Sequence, residues 1–575
     1  MKIRLLLLLL FLSLGASCWA ITGSTYSFVQ LSLGGDVIDA REYSVDPTGV
    51  TDSTAAIQAA LDAAFVSTYT TKTVVLPDGL YPLTSRLNVW SGVTLRGLGA
   101  ATLRRTKFVT NADPNTNFTM ISLKYGGTVE NLILDGNRDN ATPTVLTSSV
   151  APCAANYADI SILASTTWIG PSGSTQVTGD STLVATKQTV VRGCKIYNSC
   201  GSAIRGDPGR RLLVEDCDIQ DFGDHAVYVF GSLASPTVDC VFRDIRVFKP
   251  AWVSGNKYNN GAFKFSNYCV GQNVVTDCVI YEDTSDGDNQ SPPFQVYSGY
   301  SVAGEAGSCV VDFIGNSSTE YYGLQVTAIA SAASVRFMNN VVTAIFPFRV
   351  GYTTATSSQC FGSVTISGNT FRIPSGSAQY GYVTSAGVAT EALTCYLTNN
   401  TFISPISIGI SDGISKLVVA ANTFYGIDGT WPIVKSANVN QNGNPGYLAI
   451  TNNAFIGCDG IFYEVSSTTN HLALTSYSPL IAGNSVIGDQ SNYILYSAGT
   501  ASGSYTGTNT YTLVRNYCQV ENNVDPYLIG SSSYITDLNN VIYPYANIAD
   551  TATDTGIVTE VNKIKAMLRN LDLMK

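Results

Sequence analysis

One short phrase returns along the second half of the chain and restricts its fold more than any other feature. It reads Phe337-Met338-Asn339-Asn340-Val341, then Ile366-Ser367-Gly368-Asn369-Thr370-Phe371, Leu397-Thr398-Asn399-Asn400-Thr401-Phe402 and Val419-Ala420-Ala421-Asn422-Thr423-Phe424. It continues as Ile450-Thr451-Asn452-Asn453-Ala454-Phe455, Ile481-Ala482-Gly483-Asn484-Ser485-Val486 and Val514-Arg515-Asn516-Tyr517, with Asn-to-Asn intervals of 29, 31, 22, 31, 31 and 32 residues. Each phrase reads as a short β-branched strand, a turn at Asn and a second strand. Asn tolerates the left-handed backbone of an abrupt bend, and its amide can hydrogen-bond to the Asn of the next coil. A period of 22 to 32 residues with several short strands and almost no helix predicts an all-β, single-stranded parallel β-helix. Each coil then rises by one inter-strand spacing, about 4.8 Å.

A second ladder extends this reading into the first half. Ala203-Ile204-Arg205-Gly206, Ala226-Val227-Tyr228-Val229, Ala262-Phe263-Lys264-Phe265, Pro293-Phe294-Gln295-Val296, Gly323-Leu324-Gln325-Val326 and Pro347-Phe348-Arg349-Val350 align without gaps. Neighbours in a strand point to opposite faces. Ile204, Val227, Phe263, Phe294, Leu324 and Phe348 are therefore expected to stack inward. Arg205, Tyr228, Lys264, Gln295, Gln325 and Arg349 are expected to stack outward, as the exposed wall of a groove.

Before the coils, Asp46-Pro47-Thr48-Gly49 forms a turn signal, followed by an Asp52 or Ser53 cap and a helix with Ile57, Leu61 and Phe65 on one face. Thr73-Val74-Val75-Leu76-Pro77-Asp78-Gly79 and Val93-Thr94-Leu95-Arg96-Gly97 then read as strands ending in tight turns. A helix here would cap the open end of the first coil. The run from Asp46 to Gly99 resembles the N-terminal signature of the rhamnogalacturonase/epimerase-like proteins of the pectate-lyase superfamily, related to glycoside hydrolase family 28. Leu134-Asp135-Gly136-Asn137 is similar to a turn common in that group. The resemblance implies a right-handed parallel β-helix, and a choice among polysaccharide lyases, glycosidases, epimerases, adhesins and phage tailspikes.

The chain begins with Lys2 and Arg4, an apolar run from Leu5 to Leu14 and Cys18-Trp19-Ala20, which reads as a secretory signal over residues 1–20. Residues 21–110 form the N-terminal segment with the capping helix, residues 111–548 the β-helix, and residues 549–575 a C-terminal helix. In that helix Ile557, Val561, Ile564, Leu568 and Leu571 keep a heptad spacing that suits either a cap or a homotrimer seam. The expected location is secreted or extracellular, with the periplasm, a cell surface or a virion as variants, and no membrane contact after signal cleavage. Cleavage of that signal removes Cys18, and the twelve cysteines left outside the cytosol can pair. Cys194, Cys217 and Cys278 instead each stand two residues before an Ile, as a stack of buried thiols would.

The net charge of -10 excludes a general nucleic-acid binder, and two histidines without a Cys/His cluster exclude a zinc enzyme. No phosphate-binding glycine motif stands between a strand and a helix. Relative to the family's pectin hydrolases, the chain lacks an Asp-Asp pair and a Gly-His-Gly, although Gly223-Asp224-His225-Ala226 partly resembles the latter. Asp224 and His225 open the strand that carries Tyr228, in register with Asn260 of the next coil. Arg205, Lys264 and Arg349 suit a carboxylated or sulfated sugar, with Tyr228 or Lys264 as a base and Arg205 neutralising a uronate. Catalytic candidates are thus Asp224, His225, Tyr228 and Lys264. Substrate-binding candidates are Arg205, Gln295, Gln325, Arg349 and Asn260. No cofactor is required; the acidic loop with Asp283, Asp286 and Asp288 offers oxygen ligands for calcium but departs from the EF-hand pattern. The expected partner is an anionic polysaccharide, cleaved by β-elimination or hydrolysis, the alternative being a non-catalytic carbohydrate-binding adhesin or tailspike-like virion protein.

Overall fold

The computed structural model describes residues 37–545 except 69–71, 107–118, 139–157, 164–165, 169, 172–175, 179–186, 200, 249–260, 282–291, 298–308, 328–332, 351–361, 375–378, 384–392, 404–405, 411–413, 427–431, 437–446, 459, 466–478, 488–494, 499–508, 522–526, 530–532 and 539–540. The expected signal over residues 1–20, the C-terminal heptads, Asn260, Asp283, Asp286 and Asp288 lie outside the described residues. The chain divides into two compact units, Met1–Ala344 with Cys360–Ser363, and Ile345–Gln359 with Val364–Lys575.

In the first unit a coil is built from three strands, and equivalent strands pair in parallel from coil to coil. One coil runs Leu212–Glu215, Asp218–Phe222 and Val227–Gly231, and the next Val241–Arg243, Arg246–Phe248 and Phe263–Asn267. We call these positions the first, second and third ladders. The connections make a right-handed parallel β-helix. Alternation places one side chain in two inside the coil, and Ile204, Val227, Phe263, Phe294 and Leu324 are all buried there as the pattern requires. Phe348 is likewise buried in the second unit.

The two-residue turn between the first and second ladders explains the asparagine phrase, with one correction. The left-handed residue is the one before the recurrent Asn: Asn399 has φ 56°, Ala421 φ 57°, Asn452 φ 55° and Gly483 φ 66°. The recurrent Asn is turned inward and buried, where water cannot satisfy its amide. The next coil does so instead. Asn422 Oδ1 accepts from Asn400 N at 2.9 Å and Asn400 Nδ2 at 3.0 Å, while Asn422 Nδ2 donates to Leu397 O at 2.8 Å and Asn453 Oδ1 at 3.0 Å. Beside this ladder Phe371, Phe402, Phe424 and Phe455 stack with centroids 5.1, 4.6 and 5.0 Å apart.

In three coils of the first unit the same inward place is held by a thiol. Cys194, Cys217 and Cys278 follow the left-handed Gly193, Asp216 and Asp277 and are buried and free. At the changeover Cys278 N donates to Asn316 Oδ1 at 3.0 Å. Cys240, Cys269, Cys309 and Cys395 are likewise buried thiols outside any disulfide. On the outside of the first ladder Arg96, Glu130, Arg192, Glu215 and Arg243 follow one another in register, opposite charges alternating. Glu215 is held by both Arg192 and Arg243.

The helix expected near the N-terminus spans Thr54–Val66 and packs on the strands Lys72–Leu76, Leu87–Val89 and Val93–Gly97. Ile57 and Leu61 are buried, but Phe65 is only half-buried, 6.4 Å from the Trp90 ring. Asp52 ties the helix start rather than Ser53. Its Oδ1 accepts from Thr54 N at 3.1 Å, and its Oδ2 accepts from Thr84 Oγ1 at 2.6 Å.

Candidate functional site

The third ladder of the first unit carries one outward residue per coil in unbroken register. The row is Asn88, Ser122, Ser161, Arg205, Tyr228, Lys264, Gln295 and Gln325. The aligned phrases gave only its last five members. The first three stand in the triplets Leu87-Asn88-Val89, Ile121-Ser122-Leu123 and Ile160-Ser161-Ile162. Those apolar-polar-apolar triplets carry the same alternation but lack the preceding small residue that made the others align. Arg349 belongs to the second unit, where it pairs in register with Tyr382.

Charge concentrates around Tyr228. The Arg205 guanidinium lies 5.2 Å from the centre of its ring and Lys264 Nζ 5.4 Å, approaching from the coils on either side. Lys264 Nζ is also 5.9 Å from the Tyr297 ring. Arg205 reaches Asp207, at the end of its own strand, at 3.4 Å. Burial pushes the Lys264 ammonium down to about 8, the Asp224 carboxylate opposing and the Arg205 cation adding to the shift. Burial raises the Tyr228 phenol, so it stays protonated at neutral pH.

Asp224 and His225 complete the cluster from the bend before this strand. His225 Nδ1 is engaged by the Gly261 backbone, 2.8 Å from its N and 3.0 Å from its O, while Nε2 faces Asp224 Oδ1 at 3.5 Å. Ser202 Oγ donates to Asp224 Oδ2 at 3.2 Å. The His225 ring is 5.0 Å from that of Tyr228. Burial pushes the imidazole down to about 4, against the pull of Asp224. A neutral His225 therefore steadies the carboxylate, and with Nδ1 already engaged it is poorly placed to act as a base.

The row is less open than its sequence suggests. Arg205, Tyr228 and Lys264 are half-buried, whereas Gln295 is 1% and Gln325 5% exposed. Gln325 Nε2 donates to Thr327 Oγ1 at 3.2 Å. The two amides thus belong to the wall, and the three half-buried residues are those a ligand would meet. Sequence reading also missed Lys124, beside the row. Its ammonium donates to Ser122 Oγ at 3.0 Å, lies 5.9 Å from the Trp90 ring, and is pushed down to about 8 by burial and the Arg86 cation. Among the described residues no group of three or more acidic, His or Cys side chains could hold a metal ion.

Residues 37–228 match the family described as rhamnogalacturonase A/epimerase, pectate lyase-like. No curated protein matches the chain. Among solved structures, the tailspike protein of E. coli bacteriophage HK620 in complex with pentasaccharide is 15% identical over 88% of this chain and 78% of that one, with a TM-score of 0.41. PfbA, a surface adhesin of Streptococcus pneumoniae, is 11% identical over 88% and 90%, with a TM-score of 0.34. The catalytic unit of an alpha-1,3-glucanase from Streptomyces thermodiastaticus is 13% identical over 89% and 70%, with a TM-score of 0.33. At these identities none of the three carries an activity over to this chain. The family match covers residues 37–228, about a third of the chain, and agrees with the coils of parallel strands found there.

Proposed function

We propose that the protein is secreted through its N-terminal leader and cleaves an acidic polysaccharide by β-elimination on the Arg205–Tyr228–Lys264 row. The observation that carries this reading is a lysine lowered to about 8 beside a fixed guanidinium on one half-buried face. Elimination next to a uronate needs these two functions. Arg205 pairs with the uronate carboxylate and makes the adjacent ring proton more acidic. Neutral Lys264 takes that proton, the electron pair forms the ring double bond, and the neighbouring glycosidic C–O bond breaks. The departing oxygen is protonated by the Lys264 ammonium or by water. Tyr228 offers its ring face to the sugar and separates the two cations, while Asp224, held by Ser202 and His225, offsets their mutual repulsion.

The test is the Lys264→Ala variant, with Lys264→Arg to preserve charge. Both should bind the substrate of the wild type and release no unsaturated product, and the wild-type rate should rise with pH through about 8. Undiminished cleavage by Lys264→Ala removes the lysine from the chemistry. Shortening without unsaturation replaces elimination by hydrolysis, and binding without shortening supports a non-catalytic carbohydrate-binding adhesin or spike.

A further inference from the structure

The second ladder of the same coils carries another outward row, on strands that lead into the third ladder. Asp135, Tyr197, Gln220, Phe248, Tyr281 and Thr319 follow in register, one per coil. The two aromatic residues at its centre are open: Phe248 is 40% and Tyr281 50% exposed. Tyr197 and Gln220 are half-buried beside them. Alongside runs a charged row, Lys195, Asp218 and Arg246, again in register. Lys195 Nζ lies 5.6 Å from the Tyr197 ring, and Arg246, 67% exposed, pairs with Asp218 at 3.1 Å.

We propose that this row is a second glycan-binding surface, which holds an extended acidic polysaccharide outside the Arg205–Lys264 row. Three features select that occupant. The contact residues repeat at about 4.8 Å along the coil axis, commensurate with successive pyranose rings of an extended chain. Phe248 and Tyr281 are exposed on adjoining coils, with Gln220 beside them to offer an amide to hydroxyls; exposed aromatic residues in a line suit the C–H faces of sugars. Lys195 and Arg246 stand beside them as the cations a uronate or sulfate needs, on a chain of net charge -10. A second copy of the chain fits less well, because the three charged side chains Lys195, Asp218 and Arg246 flank the coils of Tyr197, Gln220 and Phe248, and interface centres are depleted in charge.

The experiment uses the full mature chain and three probes, polygalacturonate, alginate and hyaluronate, each cast into a native gel in which retardation reads affinity. Phe248→Ala/Tyr281→Ala should weaken binding to the retarding polymer about tenfold. The same pair in a Lys264→Ala background should remove the binding that Lys264→Ala leaves. Both sites are exposed, and an unchanged melting curve confirms that the coils stay folded. If the aromatic pair changes nothing, the second surface is overturned while the cleavage proposal stands; if Lys264→Ala alone abolishes retardation, the second surface is overturned and the binding expected of that variant fails with it. If the aromatic pair abolishes it and Lys264→Ala has no effect on binding or cleavage, the cleavage proposal fails and this one survives. Retardation by none of the three polymers, or conversion of an oligomer to a monomer with glycan binding unchanged, also overturns it.

Discussion

Replacing Asn422 by Ala should weaken the second unit by about 4 kcal/mol, taking about 1 kcal/mol net for each of its four side-chain hydrogen bonds. Two of the deserted partners, Asn400 Nδ2 and Asn453 Oδ1, are themselves buried, so water cannot easily take the place of the amide. Asn453→Ala should cost a similar amount, because its side chain also makes four bonds. The double variant should cost less than the sum by about 1 kcal/mol, since the bond from Asn422 Nδ2 to Asn453 Oδ1 is counted in both singles. Urea unfolding with hydrogen exchange of the flanking strands Ile414–Ala420 and Tyr447–Thr451 gives both the loss and its location. The half-exposed Tyr425→Ala is the control, expected within about 1 kcal/mol of wild type. A loss below about 1 kcal/mol for Asn422→Ala, or strict additivity in the pair, would refute the ladder as a source of stability.

Further outcomes are expected elsewhere. His225 is held near 4 against an ordinary 6.5, so the unfolded chain takes up its proton first as pH falls. Stability should therefore drop by about 3 kcal/mol from this group between pH 6.5 and 4, and pH-dependent melting should show that slope missing from His225→Asn. Lys264 works in the same direction at higher pH: its burial penalty is full below about 8 and is relieved as pH rises toward 10.5. Melting of Lys264→Met should lack that rise. Glu215→Gln loosens Arg192 and Arg243, both half exposed, so a loss of about 1 kcal/mol that shrinks in high salt is expected from denaturation at two ionic strengths. Alkylation and mass spectrometry should leave Cys240, Cys278 and Cys395 unlabelled in the native chain, because burial pushes each thiol up to about 12. All three should react after denaturation.

The repeat made the coil legible because a parallel β-helix places equivalent residues in equivalent surroundings. Phe371, Phe402, Phe424 and Phe455 stack because they hold one register position. The phrase did not show which Asn of Asn399-Asn400 bends and which is buried, since either can take a left-handed backbone. The distinction comes from the buried place, which Cys194 and Cys217 fill in other coils after Gly193 and Asp216. Alternation likewise placed Arg205, Tyr228 and Lys264 on one outward row. It could not show that Gln295 and Gln325 are covered, because exposure depends on neighbouring segments rather than on a strand's own period. The Arg96–Glu130–Arg192–Glu215–Arg243 ladder was hidden for a related reason: its partners are 23 to 34 residues apart or more, and only the register brings them together.

The most direct measurement follows the mature chain with acidic polysaccharides, recording polymer length and the ultraviolet absorbance of unsaturated uronates in the same sample. Shortening accompanied by new absorbance, absent with Lys264→Ala, is the result expected of an eliminating row of Arg205, Tyr228 and Lys264. Shortening without absorbance, or equal absorbance from the variant, would contradict it.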